Sequence, residues 1–573
     1  MDYEVVDTDV LVVGAGGAGC RAAIEAARNN MDVTLLSKEL FGKAHTTMAE
    51  LGYNVALANV APEDSWKWHF YDTLSGGAWI NNQFLVEILA KEAVERVYDL
   101  ENFGALFDRT SDGKLNQRMM GKTTYPRTVF AGDRTGHEMM TCLVDECRRL
   151  GIRVFDEFFA SRLIKRQDEV SGATAIDIKS GDFVVFRAKA TVLATGGSGR
   201  IYEVTSNARS DTGDGFAMGY LAGAELIDME MVQFHPTAMV YPPSYRGVLV
   251  TEAVRGEGGI LYNSQKERFM KRYNPKLMEL AGRDEVARSI ATEILEGRGT
   301  ERGGVYLDVS HLPQEKIEKR LPSMLEQFLK VGVDIKKEPM EVAPTAHHFM
   351  GGLKIDTSAA TTLKRLYAAG EVVGGVQGGN RLGGNALADT QVFGKKAGEN
   401  ASVFAKKASE PKLDRKQIRA EHERVLAPLQ RKKGVSPTDL RNRLRSLMWN
   451  KVGIFRNGKD LAEAITAIGT WRRTAVPKLF VADERTRYNM EWIEALELEN
   501  MLLVAEMVSR AALIREESRG AHFRRDYTKR DDDKWFANLV IRLEGKRMAF
   551  RREPCQTLYV KKPEVAFSEV AWP

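Results

Sequence analysis

A glycine-rich turn between two short apolar runs constrains this chain more than any other feature. Residues 10–13 read Val-Leu-Val-Val, and Gly14-Ala15-Gly16-Gly17-Ala18-Gly19 follows directly. An alanine-rich stretch then runs to about Asn30, and residues 33–36 form a second apolar run. This order predicts a buried strand, a tight turn, a helix and a parallel strand. In the GxGxxG spacing the first glycine permits the turn and the second lets the backbone approach a pyrophosphate. The third lets helix and sheet pack closely, with the helix N-terminus facing the phosphates. An NAD site also wants an acidic residue just beyond the second strand, for the ribose. Ser37-Lys38 stands there instead, which argues against an ordinary NAD site.

Two later segments fit the same sheet. Residues 188–193 lead into Ala194-Thr195-Gly196-Gly197, and the apolar run at 366–369 places Glu371 just past a strand end. Ligands of doubly wound sheets gather at such carboxyl ends, so these segments are expected to line one long crevice. A chain of 573 residues exceeds what a single core usually holds. A nucleotide domain that opens the chain and resumes near residue 350 implies an insertion. The expected division is a dinucleotide domain over 1–239 and 350–405, interrupted by an inserted domain over 240–349. Leu/Ala-rich helical periodicity, seen at 440–452 and 492–515, predicts a helical domain over 406–520. A short mixed domain over 521–573 closes the chain.

Composition removes several classes of function. Four cysteines and no CxxC or Cys/His cluster leave no disulfide scaffold, and no evident means of holding zinc or an iron–sulfur cluster. No metal site is expected. The formal charge is only +5, and residues 521–573 hold 12 Lys/Arg against 8 Asp/Glu. Most of the excess therefore sits in a mixed-sign tail, which reads as a solvated or docking surface, with no nucleic-acid partner. The acidic start and the lack of about 18 uninterrupted apolar residues predict no signal peptide and no membrane span. Cytoplasmic residence, or a place on an inner membrane face, is the default expectation.

The polar candidates cluster on glycine-rich loops. His45 follows the second strand, near where a bound cofactor would extend. His235 lies in Gln-Phe-His-Pro-Thr (233–237), and Glu252 and Arg255 lie three residues apart after Thr251, beside further glycines. Arg283-Asp284 opens an amphipathic helix. His347-His348 precedes a glycine turn, and Arg381 sits within Asn-Arg-Leu-Gly-Gly-Asn (380–385). Each has an ordinary structural reading as a surface ion pair or a satisfied core histidine. Together, two histidines and three arginines around one crevice suggest an anionic substrate with more than one carboxylate.

In order, these motifs resemble the flavoprotein subunit of succinate dehydrogenase and fumarate reductase, over nearly the whole length. The resemblance is carried by GAGGAG (14–19), LLSK (35–38), KAHTTMAE (43–50), DSWKWHFYDT (64–73), AGDRTGH (131–137) and ATGGSGRIY (194–202). It continues through MEMVQFHPT (229–237), TEAVRGEGGIL (251–261), GRDEVARSI (282–290), PTAHHFMGG (344–352), AAGE (368–371) and GGNRLGGNAL (378–387). WNKVGIFRNGKDL (449–461), ALELENML (495–502) and ESRGAHFRRDYTKRDD (517–532) complete it.

The resemblance implies an α/β fold. An FAD-binding Rossmann-like domain would carry an inserted α+β capping domain, followed by a helical domain and a small C-terminal domain. It implies FAD, bonded covalently through His45, although Lys43-Ala44 replaces the family's Arg-Ser and Leu51 replaces a glycine. Cofactor contacts are implied for Gly14, Gly16, Gly17, Ala18, Gly19, Ser37, Lys38, His45, Thr46, Glu50 and Gly52. The same holds for Ala194, Thr195, Gly196, Asp214, Glu371, Arg381, Asn385 and Leu387. Arg283 matches the residue that moves a proton to or from the substrate, and Glu252 and Arg255 match its relay. His235, Thr251, His347 and Arg381 match the ligands of a dicarboxylate, succinate or fumarate. His348 is expected in a packing or hydrogen-bonding role.

Glu50 is read as a negative charge beside the flavin, which would disfavour its reduced anion and lean the chain toward fumarate reduction. An iron–sulfur protein subunit is the implied electron partner, with quinone-bearing membrane-anchor subunits beyond it, on the cytoplasmic face of a membrane. The alternatives are an L-aspartate oxidase-type flavoenzyme, a soluble thiol-linked fumarate reductase subunit, and a non-catalytic flavin-binding subunit.

Overall fold

A computed structural model of the chain describes residues 3–573. Its main sheet is built on the strand Glu4–Val13. That strand pairs in parallel with Val33–Ser37 on one side and Phe183–Leu193 on the other, with Val13 in register with both Leu36 and Leu193. Arg153–Asp156 extends the first side in parallel, and Leu366–Ala368 pairs in parallel with Phe183–Leu193, Ala368 opposite Leu193. Glu169–Asp177 and Phe158–Arg166 continue the other side antiparallel. The register brings the carboxyl ends of five parallel strands to one edge. Residues 10–12 are wholly buried, as a strand covered on both faces must be.

Glycines set the distances between layers. A Cβ on Gly19 would stand 1.7 Å from the Gly14 carbonyl oxygen, and one on Gly398 would stand 2.2 Å from that of Ala22. The first contact presses the helix Gly17–Arg28 onto its own strand. The second presses Asn385–Ala405 onto Gly17–Arg28.

The inserted region has a four-stranded antiparallel sheet of its own, ordered Val232–Met239, Met340–Phe349, Val305–Asp308, Ile260–Tyr262. Val232–Met239 lies before the expected boundary at 239/240, so that boundary gives the main domain a strand that pairs in the insertion's sheet. Val232, Phe234, Ala346 and Phe349 pack in the main core, whereas Met239, Met340 and Val342 pack in the core of the insertion. The two-stranded ribbon runs from one core to the other, with Val232, Phe234, Ala346 and Phe349 at one end and Met239, Met340 and Val342 at the other.

The region after 405 is helical, as expected. Arg415–Leu426, Pro437–Lys451, Gly458–Thr474 and Met490–Ile514 bury Ile418, Leu444, Ile468 and Val504 in a core continuous with that of the main domain. The C-terminal hairpin, Ala537–Glu544 with Arg547–Pro554, adds to Leu226–Ile227 and through it to Gly352–Leu353. Nor is the basic tail simply solvated. Arg524 is buried and donates to Asp526 and to the carbonyls of Ala512 and Leu513. Just upstream, buried Arg515 lies 2.5 Å from Glu230, 3.0 Å from Glu517 and 3.2 Å from Asp228. That cluster ties the tail beneath the main domain.

Gly19→Ala tests the closest of these contacts. The added methyl must displace backbone, and overpacking of this kind costs roughly 1–3 kcal/mol. A lower thermal unfolding midpoint is expected in scanning calorimetry of the full chain.

Candidate active site

The carboxyl edge of the main sheet opens into a cavity of about 500 Å³ that reaches the inserted domain. At one end lies the turn at 14–19. Gly14 adopts φ +107°, and a Cβ there would sit 2.3 Å from the Ala194 carbonyl oxygen, so glycine is required on steric grounds. Gly16 caps the helix Gly17–Arg28 and offers no side-chain acceptor. The helix therefore presents backbone donors and the positive end of its dipole to the cavity. The Thr46 hydroxyl accepts from Gly17 N–H at 3.1 Å.

The residues expected to hold a cofactor divide into three groups. Gly14, Gly16, Gly17, Ala18, Ser37, Lys38, His45, Thr46, Glu50, Gly52, Ala194, Thr195, Gly196, Asp214, Glu371, Arg381 and Leu387 all line the cavity. Within that set, Lys38 turns its ammonium to Asp214 at 2.6 Å and Glu497 at 2.8 Å, and the Ser37 hydroxyl donates to the Glu39 carbonyl. Those two therefore offer backbone and surface more than free polar groups. Gly19 acts behind the wall, through packing. Asn385 departs from expectation: its side chain is buried among Asn54, His69 and Thr73, to all of which it is hydrogen bonded. A motif places Asn385 next to the loop but cannot say which way it turns.

Several polar atoms buried along this wall have no partner: Thr195 Oγ1, Asp211 Oδ2, Glu50 Oε2, Asp389 Oδ1, His235 Nε2 and Arg381 Nε. Buried polar groups are rarely left so. An elongated, polar-edged dinucleotide above a glycine turn fits these atoms.

At the other end the insertion completes the site. Arg283 begins the helix Arg283–Glu293 and donates through Nε to Glu252 Oε2 at 2.7 Å and through Nη1 to Gln233 Oε1 at 3.1 Å. Its Nη2 has no hydrogen-bond partner among the described residues. Arg381 approaches the same Gln233 oxygen through Nη2 at 3.3 Å. Thr251 caps the short helix Glu252–Gly256, so that Glu252 and Arg255 are positioned by a helix end. Glu252 also accepts from Gly121 N–H at 2.9 Å. Arg255 lies behind the cavity wall, 3.9 Å from Glu252, and donates to the Glu279 carbonyl at 2.6 Å. The motif at 229–237 gives Gln233 no role by itself. Its place between two guanidiniums appears only in three dimensions.

Burial and like charge set the protonation states. Desolvation opposes the Glu252 charge, but Arg283 and Arg255 outweigh it and hold the carboxyl down at about 2. Desolvation, then Arg283, brings Arg381 down to about 9, still cationic at neutral pH. Burial and the neighbouring cations keep His235 and His347 well below the usual imidazole range, so both are neutral. His347 Nδ1 meets Ser206 Oγ at 2.8 Å, and the rings of His235 and His347 are 5.1 Å apart. His348 Nδ1 faces Glu371 at 3.2 Å. Arg255, Arg283 and Arg381 thus stand against Glu252 and, beyond His348, Glu371, an excess of positive charge suited to an anion.

Glu50 bears on one expectation. Burial first, and the nearby Asp133 charge second, push its carboxyl well above the usual range, which works against the negative charge on which the fumarate-reducing lean rests. His45 Nδ1 accepts from Ala208 N–H at 3.2 Å and lies 3.6 Å from Asp211, while Nε2 lies 3.3 Å from the Asn207 amide. No group of three or more His, Cys, Asp or Glu is placed to hold a metal among the described residues. None of the described helices is long and apolar enough to cross a membrane.

The Glu252 ion pair carries a pH prediction. Its folded-state pKa lies below the ordinary carboxylate value, so its contribution to stability is fully present above about 4.5 and fades as pH falls toward about 2. Glu252→Gln should lower the unfolding midpoint at pH 6–7, and the gap to wild type should narrow on acidification. Calorimetry across that range checks both.

Known proteins resemble this chain in sequence and fold. Residues 9–387 match the family model for an FAD binding domain, and residues 441–566 match that of the fumarate reductase flavoprotein C-terminus. The chain is 55% identical over 533 residues to a subunit of the fumarate reductase (CoM/CoB) of Methanothermobacter marburgensis, covering 92% of this chain and 96% of that one. It is 39% identical over 584 residues to the mitochondrial succinate dehydrogenase (ubiquinone) flavoprotein subunit of Oryza sativa, covering 97% and 92%. A solved structure of an E. coli quinol fumarate reductase variant superposes with a TM-score of 0.92 at 34% identity, covering 99% of each chain.

Proposed function

This chain belongs to the succinate dehydrogenase and fumarate reductase flavoprotein family of FAD-dependent oxidoreductases acting on CH–CH bonds, and from that premise we propose that it interconverts succinate and fumarate. The observation that carries the reading is the buried cationic site in which Arg283, held by Glu252 at 2.7 Å, keeps one guanidinium nitrogen free toward the cavity.

When bound, FAD supplies the hydride exchanged with the substrate carbon, at flavin N5. The chain's own residues do the rest. His235, Thr251, His347 and Arg381 bind the two carboxylates. His235 Nδ1 lies 2.8 Å from the Thr237 carbonyl oxygen and 3.2 Å from Thr237 N–H, and its Nε2 has no partner among the described residues. A donor held on one carboxylate withdraws charge from the double bond and stabilises the carbanion-like transition state. Arg283 Nη2 is the nitrogen placed to deliver a proton to the adjacent carbon. A guanidinium is a weak acid, so the proton must be restored at once. Glu252 and Arg255, in line behind Arg283, are the relay. Burial of Arg283 and Glu252 strengthens their interaction while this happens.

Two-electron chemistry in a chain with no cluster ligands calls for a partner. We assign that role to an iron–sulfur subunit, with a quinone as the further acceptor. The CoM/CoB in the name of the 55% identical relative favours a thiol pair as the second reading. Covalent attachment through His45 is supported by its place on the cavity wall.

Arg283→Ala should lower dye-coupled succinate oxidation and viologen-coupled fumarate reduction roughly 10³-fold with flavin content unchanged. Near-wild-type rates would remove the reading. Oxygen consumption with aspartate in the absence of any partner would replace it with an oxidase. Flavin fluorescence should also migrate with the denatured polypeptide on a gel and be lost in His45→Ser. Free flavin in the wild type would exclude the covalent link.

A further inference from the structure

The stretch Ala131-Gly132-Asp133-Arg134-Thr135-Gly136-His137 takes no part in the chemistry above, yet it touches both domains. Asp133 is only 1% exposed. Its carboxylate accepts from Ser323 N–H at 2.9 and 3.2 Å, from Met324 N–H at 3.2 Å and from the Ser323 hydroxyl at 2.6 Å. Ser323 and Met324 open the helix Pro322–Leu329 of the inserted domain. That helix cannot cap itself: Leu321 at its N-cap has no side-chain acceptor, and Pro322 has no N–H. Asp133 supplies the missing cap from the other domain, where a negative charge also meets the positive end of the helix dipole.

The side that carries Asp133 is rigid. Thr135 Oγ1 accepts from Ala131 N–H at 3.1 Å, and Gly136 N–H donates to the Ala49 carbonyl at 2.6 Å. A Cβ on Gly136 would stand 2.0 Å from the Thr46 carbonyl oxygen, so this stretch is pressed onto the His45–Met48 turn. The capped side is equally fixed, since Met324 and Phe328 pack in the core that also holds Ala253, Val254 and Val286. Those residues flank Glu252, Arg255 and Arg283. Asp133 and Ser323 both line the active-site cavity.

We infer that Asp133 is the catch that holds the inserted domain closed over the main domain, a positioning residue for Arg283 and its relay. Swinging the insertion away strips the helix at 322–329 of its only N-terminal acceptor. Closing the site and capping that helix are therefore one event. The inference rests on the reading of Arg283 as proton donor, but its first test does not.

In the FAD-loaded full chain, Asp133→Ala should raise amide exchange at 321–325 roughly tenfold, the loss expected for a charged hydrogen bond. It should lower kcat for fumarate reduction by a similar factor without loss of flavin. Asp133→Asn, which keeps one acceptor oxygen, should fall between the two. The double variant Asp133→Ala with Ser323→Ala should be no worse than Asp133→Ala alone, because both break the same contact. Unchanged exchange at 321–325, unchanged kcat despite raised exchange, or additive losses in the double variant would each overturn the catch. If Asp133→Ala does not fold, Ser323→Ala alone must show a smaller rise in exchange with a smaller loss of kcat, and no change in both overturns it too. Activity surviving in Arg283→Ala would defeat the proton-donor reading and leave the exchange result standing.

Discussion

Everything near the cavity answers to one electrostatic problem, the burial of Arg255, Arg283 and Arg381 close to one another. Unit charges 4 Å apart at an effective dielectric of 20 interact by about 4 kcal/mol, so uncompensated cations there would push the domains apart. Glu252 offsets one charge and is itself held ionised by the arginines. Gln233 places a neutral oxygen between Arg283 and Arg381. The remaining excess suits a dicarboxylate, whose arrival completes the balance. A site with such an excess discriminates by charge before any finer contact is made.

The cations come from different parts of the chain, which explains the architecture. Arg381 belongs to the main domain, while Arg255 and Arg283 belong to the insertion. The ribbon formed by Val232–Met239 and Met340–Phe349 joins the two, with its residues divided between both cores. It also carries His235 and His347, so the histidines sit where the domains meet. A ribbon of two paired strands tolerates bending better than a packed interface does. The contact at Asp133 adds a polar tie at another part of the cavity wall.

The glycine turn, the strands around it and the presence of an insertion were legible in the chain, because period, glycine spacing and apolar runs are local signals. The polar residues of the site were legible as types in motifs. Their orientation was not. Asn385 turns into a buried amide network, Lys38 is neutralised by Asp214 and Glu497, and Gln233 gains its role from two arginines distant in sequence. Glu50 shows the same limit in electrostatic form: a glutamate reads as a negative charge until its burial is known. Helical periodicity after residue 405 was visible too, but a helix pattern does not say whose core its apolar stripe joins.

By itself, then, the sequence determined a dinucleotide turn that only glycine can form, the order of the segments, and a set of cations and histidines suited to a dicarboxylate. The tertiary structure decided which of those groups face the cavity, which stay charged, and how the insertion is tied down by Asp133. The reason is physical. Backbone propensity and steric exclusion act between neighbours in the chain, whereas desolvation and Coulomb interaction depend on what surrounds a group in space, and only the folded chain supplies those surroundings.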